Sequence, residues 1–481
     1  MMPPPKISGT IRSKNPLKGA VEILPDRLYY AALKAPPPSH NILASTPRKT
    51  KATNDTVEKK QIHFFNMDHE LVYWNFFLDF GPLNLGQFSR FALKLQDKLH
   101  KFPVVCFYSN TVPAKRANAI FLICAWQIVY LHRSPEQAFC GFDSALTEQT
   151  STDAPDDNST LNHGCGSNQG ETGASASPVS RSQGILTIGP LPPFHDASPV
   201  ACTYDLTVMD CLRGMHKARS LGFYDEKSFD VEEYEHFEQV ENGDLNWIVK
   251  DKILAFAGPS FERHVSPEGY CTLAPADYIP YFQRKKVELV VRLNKKLYHE
   301  QDFEQAGIRH MEAFFIDGSC PPMRILQQVL DGFESVPTGK AFAVHCKAGL
   351  GRTGTCIGAY LMKHYRFTAA EAIGWMRICR PGCVIGPQQH FLKQIESRMW
   401  QEGAASGPIP RSPPFEPEVR KMETDSVEAL IGRAGQANAL LAARGRRGGK
   451  STVSDPPITP EQQQKGKPVP VTPESKVKLW F

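Results

Sequence analysis

The sequence VHCKAGLGRTG, residues 344–354, is the stretch that decides the fold of this chain. It closes an apolar run typical of a buried strand and leads into a helical pattern over residues 351–365. A loop wrapped in front of a helix N-terminus directs backbone N–H groups inward and adds the helix dipole, which favours anion binding. The stretch therefore predicts a strand, a phosphate-binding loop and a helix. The predicted loop comprises His345, Lys347, Ala348, Gly349, Leu350 and Gly351.

Two side chains on this loop suit the chemistry of phosphate esters. Cys346 and Arg352 stand six residues apart, and the guanidinium of Arg352 can donate two parallel hydrogen bonds to phosphate oxygens. A cysteine in such a positive cradle is expected to ionise, and its thiolate can attack phosphorus to form a phosphocysteine. The Thr353 hydroxyl can then donate to the sulfur as it leaves. The alternative is a buried structural cysteine beside a helix-capping turn, which the combined register of these residues disfavours.

Two further parts of the sequence offer groups for proton transfer and for water. Asp317, in the loop FFIDGSCPP upstream of the cysteine, is the candidate general acid for the leaving oxygen. An aspartate before Gly318 is equally typical of a turn start, so the residues alone leave both interpretations open. Gln388 and Gln389 follow an IGP turn and are candidates for positioning the hydrolytic water. An ordinary helix start is the alternative.

Strands and helices alternate elsewhere in the chain. Strand-like apolar runs occur at 102–110, 253–258 and 287–293, and helical patterns occur at 115–131, 369–379 and 388–398. This alternation predicts an α/β fold with a central sheet flanked by helices.

The first half of the chain also echoes the second. KRAN, at 115–118, opens a helix after a strand and a loop, as GRTG does at 351–354. Asn110 stands six residues before Arg116, where the second half has Cys346. We therefore predict an internal duplication whose first copy has no nucleophile.

The composition favours a soluble intracellular protein with several domains. The chain has 481 residues, 41% of them hydrophobic, which excludes a wholly disordered protein. Its net charge of +5 is too slight to predict nucleic-acid binding. The first residues contain no apolar signal core, and the longest apolar stretch is too short to span a bilayer. The 12 cysteines form no C-x-x-C pair, so reduced thiols are expected rather than a zinc ribbon.

Polar stretches poor in hydrophobic residues divide the chain. We predict a disordered N-terminus (1–19), a first domain (20–227) with disordered insertions (45–60 and 146–184), a linker helix (228–242), a second domain (243–400) and a disordered tail (401–481). Candidate phosphorylation sites before proline lie in these insertions and the tail, although such dipeptides also arise there by chance. They are Thr46, Ser177, Ser412, Thr459 and Thr472.

Several longer motifs resemble those of one family. They are DFGPLNL (79–85), KRANA (115–119), YEHFEQVENGDLNW (234–247), FFIDGS (314–319), AVHCKAGLGRTGT (343–355) and RICRPGCVIGPQQ (377–389). Together they are similar to hallmarks of the cell-division-cycle-fourteen, or mitotic-exit, dual-specificity phosphatases. The resemblance implies two tandem protein-tyrosine-phosphatase-like domains, of which only the second is catalytic. It implies Cys346 as nucleophile, Arg352 as phosphate ligand and Asp317 as general acid, with no metal or organic cofactor.

The resemblance also implies a substrate class. These enzymes prefer phosphoserine followed by proline and a nearby basic residue, as left by cyclin-dependent kinases. The acidic residues that face this basic residue match Glu235, Glu238 and Asp244 in this sequence. Glu235 and Glu238 would share one face of a helix, and an acidic groove attracts lysine or arginine. A solvent-exposed helix face without a binding role is the alternative interpretation of the run EEYEHFEQVE.

The expected partners and location follow from the same resemblance. We expect phosphoprotein substrates, no nucleic acid and no membrane, in the nucleus and cytoplasm, with a centrosome, spindle or basal-body association. The basic run at 444–450 is consistent with nuclear import.

Two other functions fit the sequence less well. A phosphoinositide phosphatase would carry a further lysine where this chain has Leu350. A non-catalytic phosphopeptide-binding scaffold would have lost Cys346, Arg352 or Asp317, and all three are present. The chain departs from the family pattern at Cys383, where serine is usual.

Overall fold

The coordinates come from a computed structural model, which describes residues 19–37, 43–44, 60–142, 189–265 and 271–405. These residues all fall within one compact unit of the chain. They form two five-stranded sheets, each covered by helices, so the predicted α/β class is confirmed.

The first sheet is built around a buried central strand. Its spatial order is β1-β2-β5-β4-β3. The central strand β5 runs parallel to β2 and β4, whereas the outer pairs β1–β2 and β3–β4 are antiparallel. Residues 104–107 of β5 are all buried, as expected for a strand covered on both faces. The strands are β1 (Val21–Leu24), β2 (Leu28–Leu33), β3 (Leu43–Ala44), β4 (Lys60–Phe65) and β5 (Val104–Asn110).

Helices follow these strands and lead into the second half. They are α1 (Leu85–Lys101), α2 (Pro113–Tyr130), α3 (Pro135–Phe139), α4 (Val208–Ser220) and α5 (Val231–Glu238), with a 3₁₀ turn at Val240–Asn242. Asn84 caps the N-terminus of helix α1. Its side chain accepts a hydrogen bond from the Gln87 backbone amide, and the Gln87 side chain accepts one from the Asn84 backbone amide. Helix α2 is buried from 116 to 129, which explains its nearly continuous apolar sequence. Helix α5 lies in the segment predicted as the linker.

The second sheet shares most of the plan of the first. Its order is β11-β10-β12-β7-β6, with the central β12 parallel to β7 and β10 and the outer pair β6–β7 antiparallel. The strands are β6 (Leu245–Val249), β7 (Ile253–Phe256), β10 (Val287–Arg292), β11 (Arg309–Glu312) and β12 (Ala341–His345), and a separate hairpin joins β8 (His264–Val265) to β9 (Cys271–Thr272). In both sheets an antiparallel hairpin precedes the central strand, which agrees with the predicted duplication. The far edges differ, because β10–β11 is parallel whereas β3–β4 is antiparallel.

The helices of the second half confirm the predicted pattern. They are α6 (Pro275–Arg284), α7 (Gln301–Glu304), α8 (Met323–Glu334), α9 (Gly351–Tyr365), α10 (Ala369–Cys379) and α11 (Pro387–Ala405). All five residues of β12 are buried, and the chain passes from β12 through a short loop into α9. This is the strand–loop–helix unit expected from residues 344–354.

Helices α4 and α10 pack the two halves closely together. A Cβ atom on Gly214 would lie 2.4 Å from the Glu371 carbonyl oxygen, and one on Gly374 would lie 2.8 Å from the Cys211 Cα. Lys217 Nζ also forms an ion pair with Glu371 Oε2 at 3.0 Å. The two glycines therefore set the distance between the helices, because any side chain there would push them apart.

Two predicted boundaries need correction. Lys60, assigned to the insertion at 45–60, is the first residue of β4. Helix α11 continues to Ala405, beyond residue 400, where the second domain was predicted to end and the disordered tail to begin. Its last turn packs against α9, because Gly403 lies so close to the backbone of Lys363 that a Cβ would collide with that carbonyl.

Several predictions concern residues outside the described ranges. They include the insertion at 146–184, the five candidate phosphorylation sites and the basic run at 444–450. The expected nuclear and cytoplasmic location therefore stays a prediction. Among the described helices, none is both long and apolar enough to cross a bilayer.

Candidate active site

The predicted phosphate-binding loop lies between the end of β12 and the first turn of α9. Donors from outside the loop hold its carbonyl oxygens: Lys347 O accepts from the Gly258 amide at 2.9 Å. The carbonyls of Ala348 and Gly349 accept from Arg380 Nη2 and Nε at 2.8 and 2.9 Å. Because the C=O and N–H of one peptide point in opposite directions, this arrangement directs the loop amides toward its concave side.

Arg380 is an anchor of this loop that the sequence analysis did not single out. Its side chain is buried and also donates to the Asp244 carbonyl at 2.9 Å and to Asn246 Oδ1 at 2.7 Å. A 2.8 Å ion pair with the Asp244 carboxylate completes its contacts. The sequence offered one indication of this role: Arg380 stands directly before the Pro-Gly of RICRPGC, at the end of a buried helix.

Two glycines allow the backbone to close around the site. Gly349 has a φ of +68°, and a Cβ there would lie 2.0 Å from the Phe256 carbonyl oxygen. A Cβ on Gly258 would lie 2.2 Å from the Cys346 carbonyl oxygen. Both positions therefore exclude larger residues, and Gly349 also needs the left-handed conformation that glycine adopts freely.

Cys346 lies at the floor of the loop and is buried, with 3% of its surface exposed. Thr353, in the first turn of α9, is also buried, and its hydroxyl has no hydrogen-bond partner within the described part of the chain. A buried hydroxyl without a partner is costly unless a ligand or a neighbouring anion satisfies it. This supports the predicted role of Thr353 as a donor to the sulfur or to a bound phosphate.

A buried chain of hydrogen bonds orients the nucleophile's peptide. His345 Nδ1 lies 2.9 Å from the Cys346 carbonyl oxygen, and His345 Nε2 lies 2.7 Å from the Tyr298 hydroxyl. The Tyr298 hydroxyl lies 2.9 Å from His310 Nε2. Burial lowers the pKa of His345 to about 3, so its ring is neutral at physiological pH. Nδ1 must then donate to the carbonyl, which leaves Nε2 to accept from Tyr298.

The structure brings together the predicted phosphate ligand and general acid. Arg352 Nη2 lies 3.1 Å from Asp317 Oδ1. Arg352 Nη1 donates to the carbonyls of Phe315 and Leu293 at 3.0 and 3.3 Å. The arginine side chain is buried, whereas 68% of the Asp317 side chain is exposed. The acid therefore sits on an accessible loop at the edge of the site, where it can meet the leaving group of a bound ester.

The two candidate glutamines have different surroundings. The Gln388 amide faces the loop, because its Oε1 lies 2.7 Å from where a Cβ on Gly351 would stand. Its Nε2 donates to Ser319 O at 3.1 Å. Gln389 instead points into a buried network: it donates to Asp196 at 2.9 Å and accepts from Arg377 at 2.6 Å. Of the two, Gln388 therefore stays the candidate for positioning the hydrolytic water.

The three predicted acidic residues lie at the junction of the two halves, and each has a partner. Glu235 forms a bidentate ion pair with Arg90 at 2.6 and 2.9 Å. Glu238 accepts from Asn84 at 2.7 Å, and burial raises the pKa of this carboxyl to about 7. Asp244 pairs with Arg380, as described above. Glu235 and Glu238 lie on one helix, as predicted, but the sequence could not show the partners of the three acids.

One group of described residues has the composition of a metal site. Ligand atoms of His195, Asp196 and Cys202 lie within 4.8 Å of one another. Both ring nitrogens of His195 are already engaged, one by the Asp196 carbonyl at 2.7 Å and the other by the Cys202 amide at 3.1 Å. The group is therefore a hydrogen-bonded turn, and its histidine offers no free nitrogen to a metal.

Two family models match the two halves. The model for the N-terminal half of dual specificity protein phosphatases matches residues 22–160, and the model for the dual specificity phosphatase catalytic domain matches residues 276–399. The second range contains Asp317, Cys346 and Arg352, whereas the three predicted acidic residues fall between the two ranges.

Curated relatives extend over most of the described residues. Dual specificity protein phosphatase CDC14A from Mus musculus is 44% identical over 391 residues, covering 80% of this chain and 54% of that protein. CDC14C from Homo sapiens is 40% identical over 348 residues, covering 71% of this chain and 67% of that protein. The Schizosaccharomyces pombe tyrosine-protein phosphatase CDC14 homolog is 34% identical over 80% of this chain and 63% of that protein.

The chain thus spans just over half the length of the mouse relative, but the matched part includes both halves and the whole cysteine loop. Two sheets of similar plan, a nucleophile loop in the second alone, and this degree of identity lead to one conclusion. The chain belongs to the CDC14 family of dual-specificity protein phosphatases.

Proposed function

We propose that this chain is a cysteine-dependent protein phosphatase that removes phosphate from phosphoserine or phosphothreonine followed by proline, and also from phosphotyrosine. The observation that carries the proposal is the geometry around Cys346. The carbonyls of the surrounding loop are tied outward, the amides face inward, and Arg352 and Asp317 meet at its edge. Such a cradle stabilises the equatorial oxygens of a transferring phosphoryl group.

In the first half of the proposed reaction, the Cys346 thiolate attacks phosphorus and the ester P–O bond breaks. Asp317 gives its proton to the leaving serine, threonine or tyrosine oxygen. Arg352 is already held by the carbonyls of Leu293 and Phe315, so its guanidinium is buried beside the loop before the ester arrives. An incoming phosphate therefore replaces the Asp317 contact on Nη2, which frees the acid for the leaving group.

In the second half, a water molecule attacks the phosphocysteine and the P–S bond breaks. The water's proton passes to the Asp317 carboxylate, and inorganic phosphate leaves. Thr353 donates to the departing sulfur, and Gln388 positions the water above the loop. The returned thiolate and protonated Asp317 restore the starting state.

The acidic junction, formed by Glu235, Glu238 and Asp244, supports the proposed preference for a basic residue after the proline. The Arg90–Glu235 pair is substantially exposed on both sides, at 45% and 38%. Exposed pairs of this kind contribute only about 0–1 kcal/mol, so a substrate lysine can displace Arg90 at little cost. Serine–proline sites with a following basic residue are those left by cyclin-dependent kinases. We therefore propose that the enzyme reverses this phosphorylation in cell division.

Steady-state turnover of matched peptides, without added metal, tests both levels of the proposal. The peptides carry phosphoserine-Pro with a following Lys, the same with Glu in place of Lys, or phosphotyrosine, and a soluble phosphoinositide is run beside them. We expect about tenfold preference for the Lys peptide over the Glu peptide. Cys346→Ser should abolish all turnover.

A charge-reversal pair provides the matched control. Glu235→Lys should lose or invert the preference for the Lys peptide. Glu304→Lys makes the same charge change on α7, beside β11 at the opposite edge of the sheet, and should keep the preference. Faster turnover of the phosphoinositide, or equal turnover of the two peptides, would overturn the substrate class while leaving the chemistry at Cys346 intact.

A further inference from the structure

Asp196 belongs to the first, non-catalytic domain, yet its carboxylate is bound by the catalytic one. The residue is 1% exposed and follows Phe194, which bridges to Leu206 in the first domain. Its Oδ2 accepts from the Gly386 amide at 2.5 Å and from Gln389 Nε2 at 2.9 Å. Its Oδ1 accepts from the Ser198 hydroxyl at 2.6 Å.

Both donors from the catalytic domain lie on the turn that carries Gln388. Gly386 has a φ of +56°, and its carbonyl accepts from the Gln389 amide at 3.2 Å, which closes the turn before α11. Gln388 sits between the two residues that Asp196 holds. Its Oε1 accepts from the Ile385 amide at 3.3 Å, and its Nε2 bonds to Ser319 on the acid loop.

We propose that Asp196 is a positioning residue through which the non-catalytic domain fixes Gln388 for the attack of water on the phosphocysteine. The inference rests on the proposed function, because it concerns the second half of that reaction. It assigns the first domain a direct part in turnover, in addition to its contacts with the acidic junction.

The energetics favour a localised effect. A buried carboxylate that accepts from a backbone amide and a side-chain amide makes charge-assisted bonds, which are about twice as strong as neutral ones. Its loss leaves the Gly386 amide and Gln389 Nε2 without their acceptor, so the turn would relax and carry Gln388 with it. The hydrogen bonds of Asp196 involve none of Cys346, Arg352 and Asp317 within the described part of the chain. The first half of the reaction should therefore be preserved.

The test separates the two halves of the reaction by rapid-quench kinetics with an aryl phosphate. Asp196→Ala should form the phosphoenzyme within about twofold of the wild-type rate but hydrolyse it about tenfold more slowly. Trapped phosphoenzyme, detected by the mass of the intact protein, should accumulate, while kcat falls and kcat/KM is nearly unchanged. Gln388→Ala should behave in the same way.

Two variants guard against a general loss of structure. Asp196→Asn should recover most of the hydrolysis rate, because its amide oxygen can take the place of Oδ2 while the Ser198 hydroxyl turns to the Val200 carbonyl, 3.2 Å away. Lys217→Ala removes an ion pair between the same two halves, at α4 and α10, and should leave both rates unchanged. If Asp196→Ala does not fold, Gln389→Leu breaks the other end of the same bond and should give the same accumulation.

The possible outcomes distinguish the two proposals. Equal slowing of phosphoenzyme formation and hydrolysis in Asp196→Ala, or no slowing at all, would overturn the positioning role while Cys346-dependent turnover stands. If wild-type enzyme yields no trapped phosphocysteine and Cys346→Ser remains active, the proposed function itself fails, and the positioning role fails with it.

Discussion

The two halves of the chain keep the same six-residue spacing, from Asn110 to Arg116 and from Cys346 to Arg352, but they fold the intervening residues differently. The first half has only residues 111–112 between β5 and α2, whereas the second has residues 346–350 between β12 and α9. In the second half, the loop from Cys346 to Arg352 turns its carbonyls outward and leaves its concave side open to an anion. In the first half, the amide of Asn110 donates instead to Asp68 Oδ2 at 2.7 Å. A carboxylate of the chain itself therefore takes the place that a phosphate oxygen would need.

The arginine that both loops retain shows the same divergence. Arg352 contacts the acid loop, whereas Arg116 donates to the carbonyls of Gly189 and Pro190 and so ties down a neighbouring segment. The first loop also contains no glycine, and its Pro113 already begins α2. The arrangement of the sheet alone therefore does not create the site. The site depends on how the loop backbone curls and on what its amides face.

The largest effect on activity should come from removing Arg352, with removal of Arg116 as the matched comparison. Arg352→Ala should lower kcat/KM by about 10³-fold or more, because it removes the two parallel donors that the guanidinium offers to the equatorial oxygens. Arg116→Ala should change kcat/KM by less than about twofold but lower stability by about 1–3 kcal/mol, since two carbonyls lose their donor. Aryl-phosphate turnover and thermal unfolding measure the two effects. Comparable loss of activity in both variants would contradict the division of roles.

A methyl group at the tightest point of the loop should have the next largest effect. In Gly349→Ala the new Cβ would meet the Phe256 carbonyl at 2.0 Å, with φ in the left-handed region. We expect about a 10²-fold loss of activity and a destabilisation of about 2–4 kcal/mol. Pro113→Ala at the equivalent position of the first loop is the control and should cost less than about 1 kcal/mol. An active Gly349→Ala enzyme would mean that the curled backbone is not what binds phosphate.

A smaller effect is expected when the internal carboxylate of the first loop is removed. Asp68→Ala should destabilise the chain by about 1–3 kcal/mol, because the Asn110 amide loses its acceptor. It should leave activity nearly unchanged and should not create a second anion site, since the loop still lacks the glycines needed to curl. Isothermal titration with tungstate measures the stoichiometry. Two bound oxyanions per chain, instead of one, would show that Asp68 alone had closed the first site.

The sequence predicted those features of this comparison that depend on local patterns. The buried run of β12, the helix at 351–365 and the register of Cys346 with Arg352 follow from apolar periodicity and spacing within a few residues. The absence of a nucleophile at Asn110 was visible for the same reason. Local patterns determine these features because strand, loop and helix are adjacent in the chain.

The supporting contacts could not be predicted because they join distant segments. Arg380 reaches the loop from more than 30 residues away, and Tyr298 reaches His345 across 47. Asp196 meets Gln389 across 193 residues, from the other domain. A polar residue that will be buried looks like any surface residue until its partner is known. The same limit applied to the acidic residues, because the sequence did not indicate their partners Arg90, Asn84 and Arg380.

The smallest predicted effect lies where the two halves meet, at Glu238. Burial raises the pKa of this carboxyl to about 7, so the side chain is mostly neutral at pH 6 and mostly charged at pH 8. The acidic junction should therefore attract a substrate lysine more strongly as pH rises. We expect the ratio of kcat/KM for the Lys peptide over the Glu peptide to increase about twofold to threefold between pH 6 and pH 8.

This ratio isolates the junction from the chemistry. The reacting groups and the substrate phosphate are the same for both peptides, so their pH dependence cancels in the ratio, and the peptide lysine stays charged throughout the range. Glu238→Gln should remove the rise and leave a constant ratio near the wild-type value at pH 6. A ratio that is already constant in the wild-type enzyme would mean that Glu238 is charged at pH 6. The hydrogen bond from Asn84 on the first half would then outweigh the burial imposed by the second, and the junction would be acidic at every pH.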